Sequence, residues 1–160
     1  MSLGRSVRRG VAALAVLAMT ATSTFAQTCA LPDDLQALRT RMLQTDLMVA
    51  ALSCQKQELY NAFVTRFQPE LAAEGKTLKA FFKREYGSGS TKHLDDFVTR
   101  LANESSLDAM KQLRAFCKDS DALFKALLTL SPEGLPEFIA VWPQADRHGI
   151  LPCTQQAANP

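Results

Sequence analysis

The sequence predicts an all-α protein, a compact bundle of four to five helices with a long central first helix and two disulfides. Apolar residues recur at helical spacing over most of the chain, whereas the alternating pattern of a half-buried strand is weak. Proline and glycine divide these periodic stretches into segments with short connections. The cysteines are even in number in a chain that carries an export pattern, which indicates two disulfides.

The first 26 residues have the pattern of a secretory signal peptide. Three arginines precede the apolar run 11–19, and small residues occupy the −3 and −1 positions of a cut after Ala26. The apolar run is about half the roughly 20 residues that a membrane-spanning helix needs. We therefore expect no transmembrane segment after cleavage. Residues 27–160 should form a single helical domain, with an irregular tail from about residue 144, in the bacterial periplasm.

Signal cleavage also changes the charge of the protein. It removes three arginines and leaves 15 Lys and Arg against 16 Asp and Glu, a net charge of −1. A near-neutral domain gives no reason to expect nucleic acid as a partner.

The first helix is expected to begin at Asp33 or Asp34, because acidic residues cap free amide groups and complement the helix dipole. It should run to Phe67, where Gln68-Pro69 stops it. Its middle is apolar on two sides, which predicts a central helix with neighbours on both faces. One stripe consists of Leu38, Met42, Val49, Leu52, Leu59, Tyr60, Phe63 and Phe67, and the opposite stripe of Leu43, Leu47, Ala50, Ala51 and Cys54.

A second helix should open at Pro69-Glu70 and end before a loop at 87–90. A short third helix follows, capped by Ser90 or Thr91, and 103–106 is either a break or a continuous passage into helix four. A fifth helix covers the run PEFIAVW and ends at Pro143. The inward face of helix four is predicted to carry Leu107, Met110, Leu113, Cys117, Phe124, Leu127 and Leu128.

The first helix limits the pairing of the cysteines. A straight helix places Asp33 and Cys54 roughly 30 Å apart, too far for the four-residue link from Cys29 to close a disulfide to Cys54. Two pairings remain: Cys54–Cys117 with Cys29–Cys153, or Cys29–Cys117 with Cys54–Cys153. The first is preferred because small side chains beside Cys54 would let another helix approach closely.

The sequence offers few candidates for chemistry. His93 lies near Asp95 and Asp96, which suggests an acid/base site, although a helix's first turn also favours such acids. The cysteines are isolated, and no nucleotide loop or di-iron pattern occurs, so no metal, cofactor or catalytic residue is assigned. The best candidate binding surface is the basic part of helix two, which could contact an anionic partner or lipid headgroups. It comprises Lys76, Lys79, Lys83 and Arg84.

Three segments, LRTRMLQTDLMVAALSCQ, YNAFVTRFQPEL and HLDDFVTRLANESS, resemble a family of small, uncharacterised exported proteins of alphaproteobacterial type. The resemblance covers roughly Leu38 to Cys117. It implies an exported helical protein and no catalytic residues. Some members are labelled S-adenosylhomocysteine hydrolase, but that enzyme needs a larger chain with a Rossmann NAD site, and this sequence has neither its length nor its glycine fingerprint.

Three hypotheses for function follow. The first is a non-enzymatic periplasmic interaction or structural module with a protein partner. The second is a carrier or sensor that binds a small apolar ligand or lipid between helices, suggested by the two apolar sides of helix one. The third is a hydrolase that uses His93 with a nearby aspartate.

Overall fold

The computed structural model describes residues 29–142 and 151–153. The predicted signal peptide and most of the predicted irregular tail lie outside these residues. The described chain forms six α-helices: α1 (Pro32–Ser53), α2 (Gln57–Arg66), α3 (Gln68–Tyr86), α4 (Ser90–Lys111), α5 (Leu113–Thr129) and the short α6 (Leu135–Ala140). The 3₁₀ helices Gly87–Gly89 and Pro132–Gly134 lead into α4 and α6.

The structure confirms the all-α bundle, with five longer helices and one short helix among the described residues. It also contains a parallel pair of two-residue strands, β1 (Cys29–Ala30) and β2 (Leu151–Pro152). Cys29 lies opposite Leu151, and Ala30 lies opposite Pro152. This pairing places Cys153 beside the start of the described chain.

The helix α1 lies at the centre of the bundle, as its two apolar sides predict. One core cluster packs on its first half and a second cluster on its second half. The first is formed by Ala30, Ala37, Leu38, Met42, Leu78, Phe81, Phe82, Phe97 and Leu101. The second is formed by Leu43, Leu47, Ala50, Ala51, Phe63, Phe67, Phe124, Leu127, Leu135 and Ile139.

The prediction that the first helix continues to Phe67 is wrong. The helix ends at Ser53, and α2 begins at Gln57. Gln55 has a positive φ of 57°, and the Lys56 amide donates to the Ala51 carbonyl at 2.8 Å. This is a Schellman ending, in which a left-handed residue lets the chain turn back and satisfy a free carbonyl. Leu52, predicted to be in the core, is consequently exposed at the end of α1.

Of the two alternatives for residues 103–106, the continuous passage is confirmed, whereas the boundary of helix four before Leu107 is wrong. Residues 103–106 form a continuous part of α4, and the break falls at Gln112, with φ −145° and ψ 62°. The inward row of α4 explains this continuity. Four-residue steps from Phe97 and Leu101 lead to the small residues Ser105 and Ala109, which are buried. The inward face thus leaves out Leu107 and Met110, which are exposed, as is Leu113.

The predicted loop after the second helix is a 3₁₀ helix at 87–89 that leads directly into α4. Gly87 ends α3 with φ 54° and ψ −119°, a conformation that is accessible to glycine and strained for other residues. The turn therefore requires glycine at this position.

The preferred disulfide pairing is confirmed. Cys29 is bonded to Cys153 with their Cα atoms 4.8 Å apart, and Cys54 is bonded to Cys117 at 5.5 Å. Because α1 runs unbroken from Pro32 to Ser53, the reason for excluding a bond between Cys29 and Cys54 also holds. The disulfides indicate an oxidising, extracellular-type environment.

Candidate interaction surface

The turn between α4 and α5 carries a group of exposed apolar side chains, here called the apolar corner and defined as Leu107, Met110 and Leu113. Leu107 and Met110 are neighbours on the last turns of α4, and Leu113 follows three residues later across the break. Their exposed fractions are 55%, 80% and 50%. Single exposed apolar residues are ordinary, but Leu107 and Met110 adjoin on one face of α4 and Leu113 follows directly after the break, and grouped exposed apolar residues are typical of an interface.

The Cys54–Cys117 disulfide fixes α1 to α5 beside the apolar corner. Cys117 lies one turn after Leu113, and Cys54 lies just past the end of α1. Leu52, with 65% of its surface exposed, therefore belongs to the same end of the bundle. The Phe116 amide donates to the Gln112 carbonyl at 3.0 Å and starts α5 immediately after the break. The break between α4 and α5 thus lies about one turn from a covalent link to the end of α1.

Charged side chains border the apolar corner. Lys111 pairs with Asp108 at 2.9 Å. Arg114 and Lys118 are exposed on α5, and neither has an ion pair among the residues that the structure describes. They lie four residues apart and hence on one face of the helix. The first turns of α5, which follow the corner along the chain, therefore carry two cations that have no ion pair within the described residues.

The structure brings Lys76, Lys79 and Lys83 together, as the sequence predicts. All three are exposed on α3, and within the described ranges none of them takes part in an ion pair. Their spacing of three and four residues places them on one face of the helix.

Arg84, the fourth residue of the predicted basic surface, is turned toward the protein. Its Nη2 lies 2.6 Å from Oδ2 of the buried Asp34, and its Nε lies 2.9 Å from Oε1 of Glu85. The hydrogen bond with Asp34 is the main cause that raises the pKa of Arg84. The same carboxyl oxygen of Asp34 accepts the Leu31 amide at 2.8 Å. Arg84 thus ties the end of α3 to the start of α1.

His93 lies on the first turn of α4, and its ring stacks on Tyr86 with the ring centres 3.9 Å apart. Asp96 accepts a hydrogen bond from Lys92 at 2.5 Å, and this bond is the main cause that lowers the pKa of Asp96. The carboxylate next to His93 is therefore already bound to a lysine. The proposed use of His93 as a catalytic base stays a prediction.

A small cleft between α1 and α3 contains polar groups of both helices. Its volume of about 10 Å³ is close to what one water molecule needs. Burial, and to a smaller extent the carboxylate of Asp33, raises the pKa of Glu74 in this cleft. The lining residues are Ala37, Thr40, Arg41, Gln44, Leu71, Glu74, Gly75 and Leu78.

Within residues 29–142 and 151–153, no three His, Cys, Asp or Glu side chains are grouped so that they could hold a metal ion. In the same part of the chain, none of the helices combines the length and the apolar character needed to cross a bilayer. Neither a protein-family model, nor a curated protein, nor a solved structure matches the chain.

The sequence predicted the lysines of α3 as a binding surface, which stays a prediction, and it missed the apolar corner because it assigned those residues to the core. The spacing of the apolar residues along α4 could have shown which of its residues face inward. In α4 the step of four from Phe97 and Leu101 predicts Ser105 and Ala109 as the inward residues, and both are buried. Leu107 and Met110 fall outside that stripe.

Proposed function

We propose that the protein is a non-enzymatic interaction module of the bacterial periplasm, which binds a partner protein through the apolar corner. The observation that carries this proposal is the exposure of Leu107, Met110 and Leu113 together on a turn held by the Cys54–Cys117 disulfide. The two disulfides support an exported location, and the export pattern of the first 26 residues supports the periplasm.

The energetics indicate what kind of partner fits. Covering the exposed parts of the corner residues and Leu52 would contribute on the order of 5 kcal/mol. Association costs about 4–15 kcal/mol in lost translational and rotational freedom, so the apolar contact alone does not give a tight complex. Arg114 and Lys118 supply the additional contacts. The fitting partner is a protein with an apolar surface bordered by carboxylates.

Photo-crosslinking in the periplasm tests this proposal. A photoreactive amino acid at Met110 should give one discrete adduct with another protein, because this side chain lies at the centre of the corner and 80% of its surface is exposed. The same group at Ala126, which is exposed on α5 away from the turn, should give no such adduct. Adducts of equal yield at both positions would count against the proposal.

A variant with a matched control sharpens this test. With the probe at Met110, Leu107→Ser should reduce the adduct at least tenfold, because it removes an apolar contact of the interface without opening a cavity in the core. Val141→Ser is the control, since Val141 is 81% exposed and lies just past α6. An adduct that survives Leu107→Ser unchanged would place the partner elsewhere.

The carrier hypothesis receives less support from the geometry. The cleft between α1 and α3 has space for about one water molecule, whereas an apolar ligand needs a pocket of several hundred Å³. Both apolar sides of α1 are covered by side chains of the two core clusters. Among the described residues, exposed large apolar side chains lie on the outside of the bundle, and three of them are those of the corner.

A further inference from the structure

The exposed face of the second half of α3 is basic. Lys76, Lys79 and Lys83 project from it, and the exposed residues between and beside them are the small Ala72, Ala73 and Ala80. At 100° per residue, these side chains share one sector of the helix. The acidic residues of α3, which are Glu70, Glu74 and Glu85, fall outside that sector and are half-buried. The exposed face of α3 therefore combines three cations with no carboxylate of its own helix.

This basic face is a second surface, separate from the apolar corner. Arg84 binds Asp34, so the end of α3 lies beside the first turn of α1, whereas the corner adjoins Cys54 at the other end of α1. The length of α1 puts these two ends roughly 30 Å apart. The lysines of α3 and the apolar corner are therefore treated as two distinct surfaces.

The composition of the face favours a lipid surface over a protein. Protein interfaces depend on a few buried aromatic, aliphatic or arginine anchors, and lysine is depleted in them. Here the alanines offer little apolar area, and Arg84 is engaged with Asp34. Anionic headgroups need no such anchor, because they can move to meet separate ammonium groups, and each lysine near an anionic bilayer contributes an attraction.

We propose that the lysine face of α3, formed by Lys76, Lys79 and Lys83, docks the protein on an anionic lipid surface. The contact is electrostatic and peripheral, and no side chain needs to enter the hydrocarbon. Each lysine near the surface should strengthen binding roughly fivefold, so three lysines together should strengthen it about a hundredfold. Salt should weaken it, since the Debye length falls from about 10 Å at 0.1 M to about 3 Å at 1 M.

Vesicle sedimentation tests the inference. The protein, purified after export with both disulfides formed, is mixed with phosphatidylcholine vesicles that contain increasing fractions of phosphatidylglycerol. We expect binding that rises with the anionic fraction and is lost in 1 M salt. The variant Lys76→Gln/Lys79→Gln/Lys83→Gln should bind at least tenfold more weakly. All three side chains are exposed, so its thermal unfolding should match that of the unchanged protein.

The matched control is Lys111→Gln/Arg114→Gln/Lys118→Gln, which removes the same charge near the apolar corner. It should bind anionic vesicles as the unchanged protein does. If both triple variants lose vesicle binding equally, the protein responds to its net charge and the inference is overturned. Equal binding of the unchanged protein to neutral and anionic vesicles would also overturn it. Soluble polyglutamate is tested in the same way. If the protein binds polyglutamate through the α3 lysines but does not bind anionic vesicles, the face is a site for an acidic protein, and the lipid inference is overturned.

Discussion

At the scale of single residues, Gln55 explains why the first helix is shorter than its apolar pattern suggests. It occupies the left-handed position of the Schellman ending, with φ 57°. Glycine is usual there, because other L-residues place Cβ too close to the following carbonyl. The sequence shows no glycine between Ser53 and Gln57, and the apolar stripe resumes at Leu59, so the break could not be seen.

The replacement Gln55→Gly should stabilise the protein. Glycine removes a left-handed penalty of about 1–2 kcal/mol but gives back about 0.5–1 kcal/mol through the entropy of the unfolded chain. The expected net gain is about 0.5–1 kcal/mol, measured by urea unfolding with both disulfides intact. Gln57→Gly, in the first turn of α2, is the control and should destabilise the protein. If Gln55→Gly is destabilising too, the left-handed ending of α1 is not the native one.

Glu74 gives a dependence of stability on pH. Burial and Asp33 raise its pKa above the ordinary 4.5, so the folded state holds this proton more tightly than the unfolded state. The protonated carboxyl of Glu74 contributes its full stabilisation below pH 4.5, the ordinary pKa. This stabilisation is lost as the pH rises through the raised pKa of the folded state. Glu74→Gln should therefore stabilise the protein at pH 7, by about 0.5 kcal/mol, since water screens the partly exposed group.

Thermal unfolding of the Glu74→Gln variant at pH 4 and pH 7 checks this sign. The advantage of the variant over the unchanged protein should be larger at pH 7 than at pH 4. An advantage that is greater at pH 4 would mean that the carboxylate of Glu74 is stabilised in the fold.

At the scale of elements, the helices could be predicted wherever apolar spacing and punctuation agree. Gln68-Pro69 begins α3, and Gly87 ends it, close to the positions that the sequence indicates. Where a helix ends without proline or glycine, as α4 does at Gln112, the boundary was misplaced. The apolar corner was lost for the same reason. Leu107 and Met110 were assigned to helix four and counted into one stripe with Phe124 and Leu127, although they belong to the helix whose inward row runs through Phe97 and Leu101.

The ion pair between α3 and α1 also belongs to this scale. Arg84→Gln should destabilise the protein by about 1–2 kcal/mol, because it leaves the buried carboxylate of Asp34 without its cation. This loss of stability is smaller than the loss on breaking a fully buried ion pair, because Arg84 is itself partly exposed. Lys83→Gln, next to it on the exposed face, is the control for urea unfolding and should change stability by less than about 0.5 kcal/mol. Equal effects of the two variants would contradict a structural role for Arg84.

At the scale of the whole molecule, the two disulfides join its parts. Cys29–Cys153 spans 124 residues, and Cys54–Cys117 closes a loop across 63 residues. The sequence could exclude one pairing from the length of a straight helix but could only rank the other two, since neither helix packing nor the strand pair at Cys29 is visible in it.

Removing the second disulfide tests its contribution. The double variant Cys54→Ala/Cys117→Ala should lose about 4 kcal/mol of unfolding free energy in the chain-entropy model, measured by urea unfolding. Because this bond holds α1 beside the apolar corner, the variant should also give less of the photo-adduct at Met110. Full adduct yield from a folded variant would show that the corner does not depend on the disulfide.

A photo-crosslinking scan in the periplasm decides whether a partner protein covers the apolar corner, as proposed. The probe is placed in turn at Leu107, Met110 and Leu113, and at the control positions Ala126 and Val141. We expect one adduct of the same mass from all three corner positions and none from the two controls. No adduct at any corner position, or the same adducts at the control positions, would contradict it.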